Sequence, residues 1–424
     1  MTARVTVVCG VNWGDEGKGR MVDYLAENAG VVVRFQGGNN AGHTVVNQFG
    51  TFALHLIPSG IFYDGVLNLL GPGMVIDLEG LVGEIDKLTA RGVKVDKLLV
   101  SDRATVCFPF HKKLDEWEER RLAGRAYGST KNGIAPAYGD RHLKKAVRIG
   151  DLLDRVARRD AVFRATEWAS LIAREVYKEP GFSVDEVLAW VDAYLPTLEP
   201  RVCDTISVLT AAAKEGKGIL LEAQLGALRD VYYGIYPYTT SSCALSAFAP
   251  IGAGLFGYRA DRVLGVMKAF ATCVGEGPFV TRMSDDEADF LRETAKEYGA
   301  RTGRPRTIGH FDAVASRFGA RVQEATELAL TKLDSLSGRT ELKICNRYSL
   351  DGKITEDFPT TGLDRATPIY ETVPGWSEDV TGCRQFSELP RTAQSYVQRI
   401  EELVGTRIRY VSVGPERSQL IERG

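Results

Sequence analysis

Apolar positions come in short runs that stop at glycine or at a polar loop, and stretches with helical spacing lie between them. Val5-Thr6-Val7-Val8-Cys9 is such a run, and its length and β-branching predict a buried strand. It breaks at Gly10 and passes through Gly14-Asp15-Glu16-Gly17-Lys18-Gly19 into a helical stretch, Arg20–Glu27. Val31-Val32-Val33-Arg34-Phe35 predicts a second strand, which ends in Gln36-Gly37-Gly38-Asn39-Asn40-Ala41-Gly42-His43-Thr44. The pattern predicts further strands at Phe52–Ile57, Lys97–Val100, Gly218–Glu222, within Val263–Cys273, at Leu328–Asp334 and at Ile408–Val413. Pro58-Ser59-Gly60 reads as a turn, and Gly128–Pro136 as a loop. Leu342–Tyr348 and Lys353–Thr355 flank Asp351-Gly352, a hairpin signal. Helical spacing covers Met74–Leu88, residues 110–126 and most of 151–200, with a break near Pro180-Gly181. Strands alternating with helices predict a large α/β fold with one central sheet. Ligands of such sheets gather at the carboxyl ends of the strands, where these polar loops begin.

Composition narrows the picture. The chain has 424 residues, 44% hydrophobic and 25% charged, an ordinary globular balance. Length alone suggests two or three domains. With no repeat, low-complexity tract or linker, the reading is one unit over 1–424 with a helical subdomain near 151–215. The formal net charge is -2 with both signs dispersed, which argues against a nucleic-acid or membrane surface. The N-terminus carries no signal-peptide pattern, and no apolar run reaches the ~20 residues that span a bilayer. Seven scattered cysteines without a Cys-x-x-Cys pair fit a reduced, cytoplasmic setting without structural zinc.

The candidate chemistry lies in the two glycine-rich loops. A strand, a loop of bare amides and a helix start form an anion site, because unpaired N–H groups and the helix dipole point at the ligand. The ordinary phosphate-binding loop is not present, since Asn12 holds its first position and Gly19 its last. The loops do carry a carboxylate, Asp15, an ammonium, Lys18, and an imidazole, His43. Phosphoryl transfer calls for such a set: a base for the acceptor's proton, a metal on the donor phosphates and a donor to the moving phosphoryl. Asp15 fits the base, His43 the acid and Lys18 a phosphate ligand; Asp15 and the Gly42 carbonyl also offer hard oxygens for Mg²⁺. Thr331-Lys332-Leu333-Asp334 follows a strand, and its carboxylate suits the N1–H and 2-amino group of guanine. Arg301, Thr302, Arg304 and Arg306 form a glycine-flanked cluster suited to carboxylates and phosphates.

The string Trp13–Gly19, with Gln36–Thr44 downstream, resembles the N-terminal signature of the adenylosuccinate synthetases, and the likeness runs almost from end to end. The resemblance implies one large, mostly parallel sheet flanked by helices, with smaller subdomains, working as a homodimer. It implies a carbon–nitrogen ligase that uses GTP and Mg²⁺ to join aspartate to inosine monophosphate through a 6-phosphoryl intermediate. By resemblance Asp15, His43 and Lys18 are catalytic, and Asp15 and Gly42 hold the metal. Gly14, Glu16, Gly17, Lys18, Gly42, Thr44, Lys332, Asp334, Ser412 and Gly414 belong to the GTP site. Asn40, Thr130, Thr240 and Arg304 match positions that hold the acceptor nucleotide, and Thr302 and Arg306 match the aspartate loop.

Departures fall on the acceptor pocket. Glu222-Ala223-Gln224-Leu225-Gly226 places Leu225 where the family has a purine-facing Gln, and Gln224 substitutes only if the backbone slips by one residue. Lys144 stands where the family sends an Arg across the dimer, keeping the charge but not the fork. Asn39 replaces a His, Asn132 falls where an Arg is lost, and Cys243 stands for an Asn. Drift explains these changes, or else the chain is a paralogue that ligates aspartate or another amino acid to a different oxo-purine-like nucleotide. A GTP-binding regulator or inactive homologue is disfavoured by the presence of both Asp15 and His43, and a scaffold by the lack of repeat, tail or coiled coil.

Overall fold

A computed structural model describes residues 3–40, 42–299 and 303–424. Ten strands form the central sheet: β1 (Val5–Gly10), β2 (Val31–Arg34), β3 (Leu67–Leu70), β4 (Leu98–Ser101), β5 (Val202–Cys203), β6 (Ile219–Gly226), β7 (Arg262–Lys268), β8 (Glu327–Thr331), β9 (Ile408–Ser412) and β10 (Leu420–Glu422). Their spatial order is β10-β9-β8-β7-β1-β6-β2-β3-β4-β5. Neighbours are parallel throughout except β10, which runs antiparallel to β9. β1 therefore sits mid-sheet, and its carboxyl end opens between those of β6 and β7.

The period-two pattern of β1 sorts its side chains onto two buried faces. Val5, Val7 and Cys9 pack with Leu209, Ala212 and Ala213 of the helix Thr205–Lys214. Val8 faces the other way, against Met21, Val22 and Ala26 of the helix Lys18–Ala26. Both faces are covered, which is why the strand reads as a continuous apolar run. The helices Arg155–Ile172 and Val184–Leu198 join the core built on Leu54–Leu114, and the helix Arg391–Val404 backs a smaller sheet formed largely by Arg339–Leu350 and Thr367–Trp376.

Some elements differ from the sequence expectation. Instead of Phe52–Ile57, the strand is Gly50–Leu54, paired with His43–Asn47 in a hairpin off the central sheet. The amides of Leu56 and Ile57 donate instead to the buried Glu84 carboxylate, at 2.8 and 3.2 Å, so no strand neighbour is needed there. The expected turn at Pro58 is a single 3₁₀ turn, Ser59–Phe62. The helix expected from Met74 starts at Leu78, because Val75–Ile76 pairs with Thr105–Val106. Ile134–Pro136 belongs to a helix, Ile134–His142, rather than to the loop before it. β6 runs on past Glu222 to Gly226.

Candidate active site

A cavity of about 1140 Å³ opens at the carboxyl ends of β1, β6, β7, β8 and β9. The loop after β1 is shaped by three left-handed residues, Gly14, Asp15 and Gly17, with φ of 110, 61 and 99°. Aspartate tolerates that region better than most side chains, and glycine adopts it freely. Glu16 braces the loop from within. Its Oε1 accepts from the Gly14 amide at 2.7 Å, and its Oε2 pairs with Lys18 Nζ at 2.7 Å, both side chains being buried. Thr331 Oγ1 at the end of β8 donates to the Glu16 carbonyl at 2.6 Å. The helix Lys18–Ala26 then begins at the cavity wall, so its free amides and dipole favour an anion there.

Asp15 pairs with Arg306, Oδ2 to Nη2 at 3.1 Å. Arg306 also donates to the buried Glu297 carboxylate at 2.5 Å, and both Glu297 oxygens accept from Lys268 Nζ, at 2.8 and 2.7 Å. Burial pushes the Lys268 ammonium down to about 8 against the pull of Glu297. Burial works against ionising Glu297, but Lys268 and then Arg306 outweigh it and hold that carboxyl at about 2.

His43 opens the hairpin strand and lies against the helix start. A Cβ on Gly19 would fall 2.7 Å from His43 Cβ, so only glycine leaves room for the ring. His43 Nδ1 meets Glu222 Oε1 at 2.5 Å, and Glu222 accepts in addition from the Ser59 amide at 2.8 Å and the Ser59 hydroxyl at 2.7 Å. Burial, then the nearby Arg34 guanidinium, hold the imidazole below its ordinary value, with Glu222 opposing them. Burial would raise Glu222, but the His43 contact and Arg34 bring it below the usual carboxylate range. This network assigns a neutral ring that donates Nδ1–H to an ionised carboxylate. Nε2 has no hydrogen-bond partner among the described residues.

At one end of the cavity Lys332, Asp334, Ser412 and Gly414 stand together. Lys332 Nζ donates to the Ala295 carbonyl at 2.8 Å. Asp334 Oδ1 is buried with no hydrogen-bond partner among the described residues, and burial raises that carboxyl. Arg20 donates to the Ser412 hydroxyl and to the carbonyls of Glu416 and Gln419, at 2.6 and 2.9 Å for the latter two. Asn40, Thr130, Leu225 and Thr240 also line the cavity, as do Gly14, Glu16, Gly17, Gly42 and Thr44, with Leu225 lying against Gly14.

Gln224 does not line the cavity. Its Nε2 donates to the Gly38 carbonyl at 2.8 Å, and its own carbonyl accepts from Gln36 Nε2 at 2.8 Å. Val8 pairs with Glu222 but Gly10 pairs with Gly226, so β6 carries extra residues in a bulge. The bulge puts Leu225 in the left-handed region, φ 57°, and its side chain on the cavity wall. Lys144 and Arg304 are exposed and lie off the wall of their own chain's cavity, and Thr302 lies outside the described residues. Asn39 donates to Asp77 at 2.6 Å, beneath the loop it belongs to.

The sequence reading gave no role to Glu222, Lys268, Glu297 or Arg20. Glu222 and Lys268 each close an apolar strand with a charge, Ile219-Leu220-Leu221-Glu222 and Val266-Met267-Lys268, and that is a usable signal. Glu297 lies in a polar stretch and carries none.

Comparison with known proteins agrees with this geometry. The adenylosuccinate synthetase family profile matches residues 7–421. The chain is 50% identical over 419 residues to adenylosuccinate synthetase 2 of Pseudoalteromonas translucida, covering 98% of this chain and 99% of that one. It is 47% identical over 421 residues to adenylosuccinate synthetase of Caldanaerobacter subterraneus, covering 98% of each. The fully ligated adenylosuccinate synthetase of Plasmodium falciparum superposes with a TM-score of 0.94 at 33% identity, over the whole of both chains. A cyanophage S-2L succinoaminodeoxyadenylate synthetase bound to dGMP and dATP, at 18% identity and a TM-score of 0.61, shares the fold. On matches of this extent the chain belongs to the adenylosuccinate synthetase family.

Proposed function

We propose that the residues gathered in this cavity divide between them the family's reaction, the GTP- and Mg²⁺-dependent ligation of aspartate to inosine monophosphate. One observation carries the reading: Asp15 and a Glu222-backed His43 face the same cavity as Lys18 and the Lys332–Asp334 pair. Asp15 takes the purine N1 proton, which makes the 6-oxygen nucleophilic. His43 presents Nε2 to the moving phosphoryl. The negative charge arriving there offsets the burial that keeps the ring neutral, and Glu222 stabilises the imidazolium that forms. Lys18 and the amides at the helix start hold the donor phosphates. Asp334 reads the guanine: its Oδ1 is buried with no hydrogen-bond partner among the described residues, and the two oxygens of a carboxylate suit the two guanine donors. Of the cavity residues, Arg306 takes an aspartate carboxylate and Asn40, Thr130 and Thr240 the acceptor nucleotide; the resemblance adds Thr302 to the aspartate site and Arg304 and Lys144 to the acceptor site.

The donor set suits Mg²⁺, which takes one or two carboxylates and completes its shell with substrate phosphates and water. Asp15 and the Gly42 carbonyl would hold it, and when bound it neutralises charge on the transferring phosphates. The homodimer is part of the proposal. Lys144 is exposed and off its own cavity, as suits a charge offered to a partner subunit's acceptor phosphate. Cytoplasmic residence fits seven cysteines that form no disulfide among the described residues, and no helix among those residues is long and apolar enough to cross a membrane.

Leu225 on the cavity wall in place of a purine-facing amide supports a second reading, a different oxo-purine-like acceptor. One assay separates them: phosphate release from GTP with Mg²⁺ and aspartate, over a series of acceptor nucleotides, with the product identified by mass. Release that depends on inosine monophosphate, with adenylosuccinate formed, establishes the first. Failure with that acceptor and turnover with another establishes the second.

A further inference from the structure

Arg229 is a buried guanidinium on the cavity wall, in a 3₁₀ turn that follows β6. Its Nη1 donates to the Tyr238 carbonyl at 2.5 Å and to the Glu276 carbonyl at 3.1 Å. Its Nη2 donates to Cys273 Sγ at 2.8 Å and to the Val274 carbonyl at 2.8 Å. The Arg229 carbonyl accepts from the Thr240 amide at 2.8 Å. A third segment joins through Glu276, whose amide donates to the Tyr127 carbonyl at 3.4 Å. Gly128 is packed so closely there that a Cβ would lie 2.8 Å from the Glu276 nitrogen. The segments 238–240 and 273–276 therefore meet at one side chain, and 127–130 joins them through Glu276. Four Nη–H groups reach four protein acceptors, so the fork is committed to the protein and acts as a strut. A planar guanidinium can serve four acceptors in this way, and a lysine ammonium cannot.

We propose that Arg229 is a positioning residue for the acceptor nucleotide. Its guanidinium fixes the Thr240 loop through the Tyr238 carbonyl, two residues before Thr240, and the Thr130 loop through Glu276 and Tyr127. The inference rests on the assignment of Thr130 and Thr240 to the acceptor. Steady-state kinetics of Arg229→Lys tests it. The KM for inosine monophosphate rises about tenfold, while the KM for GTP and the kcat at saturating acceptor move less than about threefold, the signature of lost uniform binding on one substrate. A purely structural role would instead lower kcat and thermal stability and leave the two KM values in their original ratio, and that result overturns the proposal. If R229K does not fold, Cys273→Val removes one of the four acceptors and shifts the acceptor KM selectively by about two- to threefold; an unchanged KM there overturns the proposal as well. Thr240→Ala separates the premise from the inference. An acceptor KM unmoved by T240A removes the assignment, whereas one raised by T240A but unmoved by R229K removes the strut.

Discussion

The carboxylate behind His43 has a job that differs from that of its neighbours. Glu222 touches the ring through Nδ1 and is fixed by two donors from Ser59, so it sets both the orientation and the charge of the imidazole. Glu222→Gln keeps the shape and removes the charge. The expected result is a kcat lower by about 10²–10⁴, the range for a disabled general acid, with the KM for GTP little changed. The alkaline limb of the pH–rate profile moves to lower pH, because the imidazolium has lost its counter-charge. Steady-state kinetics across pH reads both. The position of Asp15, Lys18 and His43 on the cavity wall was legible from the sequence, because glycine-rich loops at strand ends open onto a ligand site. Glu222 was visible only as a charge closing an apolar strand. Gln224 and Leu225 were not separable, since which of two adjacent residues faces a cavity is decided by a bulge, and a bulge leaves no periodic trace.

Among the elements, the parallel strands were readable because burial on both faces makes each a short apolar run between polar loops. Thr367–Trp376 was not, since its residues are mostly half-buried or exposed and carry no clean alternation. The hairpin strand was misplaced by a few residues for a related reason: Leu56 and Ile57 are fully buried, but their amides are satisfied by a side chain, Glu84. Helix starts were set by caps that the spacing does not show. Asp154 accepts from the amides of Val156 and Ala157, at 2.8 and 3.2 Å, and opens the helix Arg155–Ile172. Asp154→Ala is expected to cost about 1 kcal/mol locally. Amide exchange over the first turn, Val156–Arg158, should quicken while adenylosuccinate formation is unchanged, a pairing that hydrogen-exchange mass spectrometry and the enzyme assay together can check.

Across the whole molecule, the Asp15–Arg306–Glu297–Lys268 chain ties loops on β1 and β7 to the end of the helix Asp285–Ala295. Glu297 is held at about 2, below its ordinary 4.5, so the unfolded chain binds more protons than the folded one between those values. Its contribution to stability is complete above pH 4.5 and is lost as the pH falls toward 2. Glu297→Gln leaves the buried Lys268 ammonium without its carboxylate and Arg306 with Asp15 alone, and is expected to cost about 3–5 kcal/mol at neutral pH. The gap between wild type and variant should narrow in acid; urea unfolding at pH 7 and again near pH 3 measures it.

The buried Lys18–Glu16 contact has a consequence for product release. The ammonium is paired with a carboxylate of its own loop, so a phosphate that binds Lys18 competes with that carboxylate. The carboxylate stays in the loop throughout the cycle and competes to reclaim the ammonium once the transferred group has gone. On the proposed role of Lys18 as a phosphate ligand, this competition is expected to lower the retention of spent GDP at some cost in affinity for GTP. Glu16→Gln should invert that balance: GDP dissociation, followed by stopped-flow displacement, slows by about tenfold, equivalent to roughly 1.4 kcal/mol, and the variant turns over more slowly while binding nucleotide more tightly.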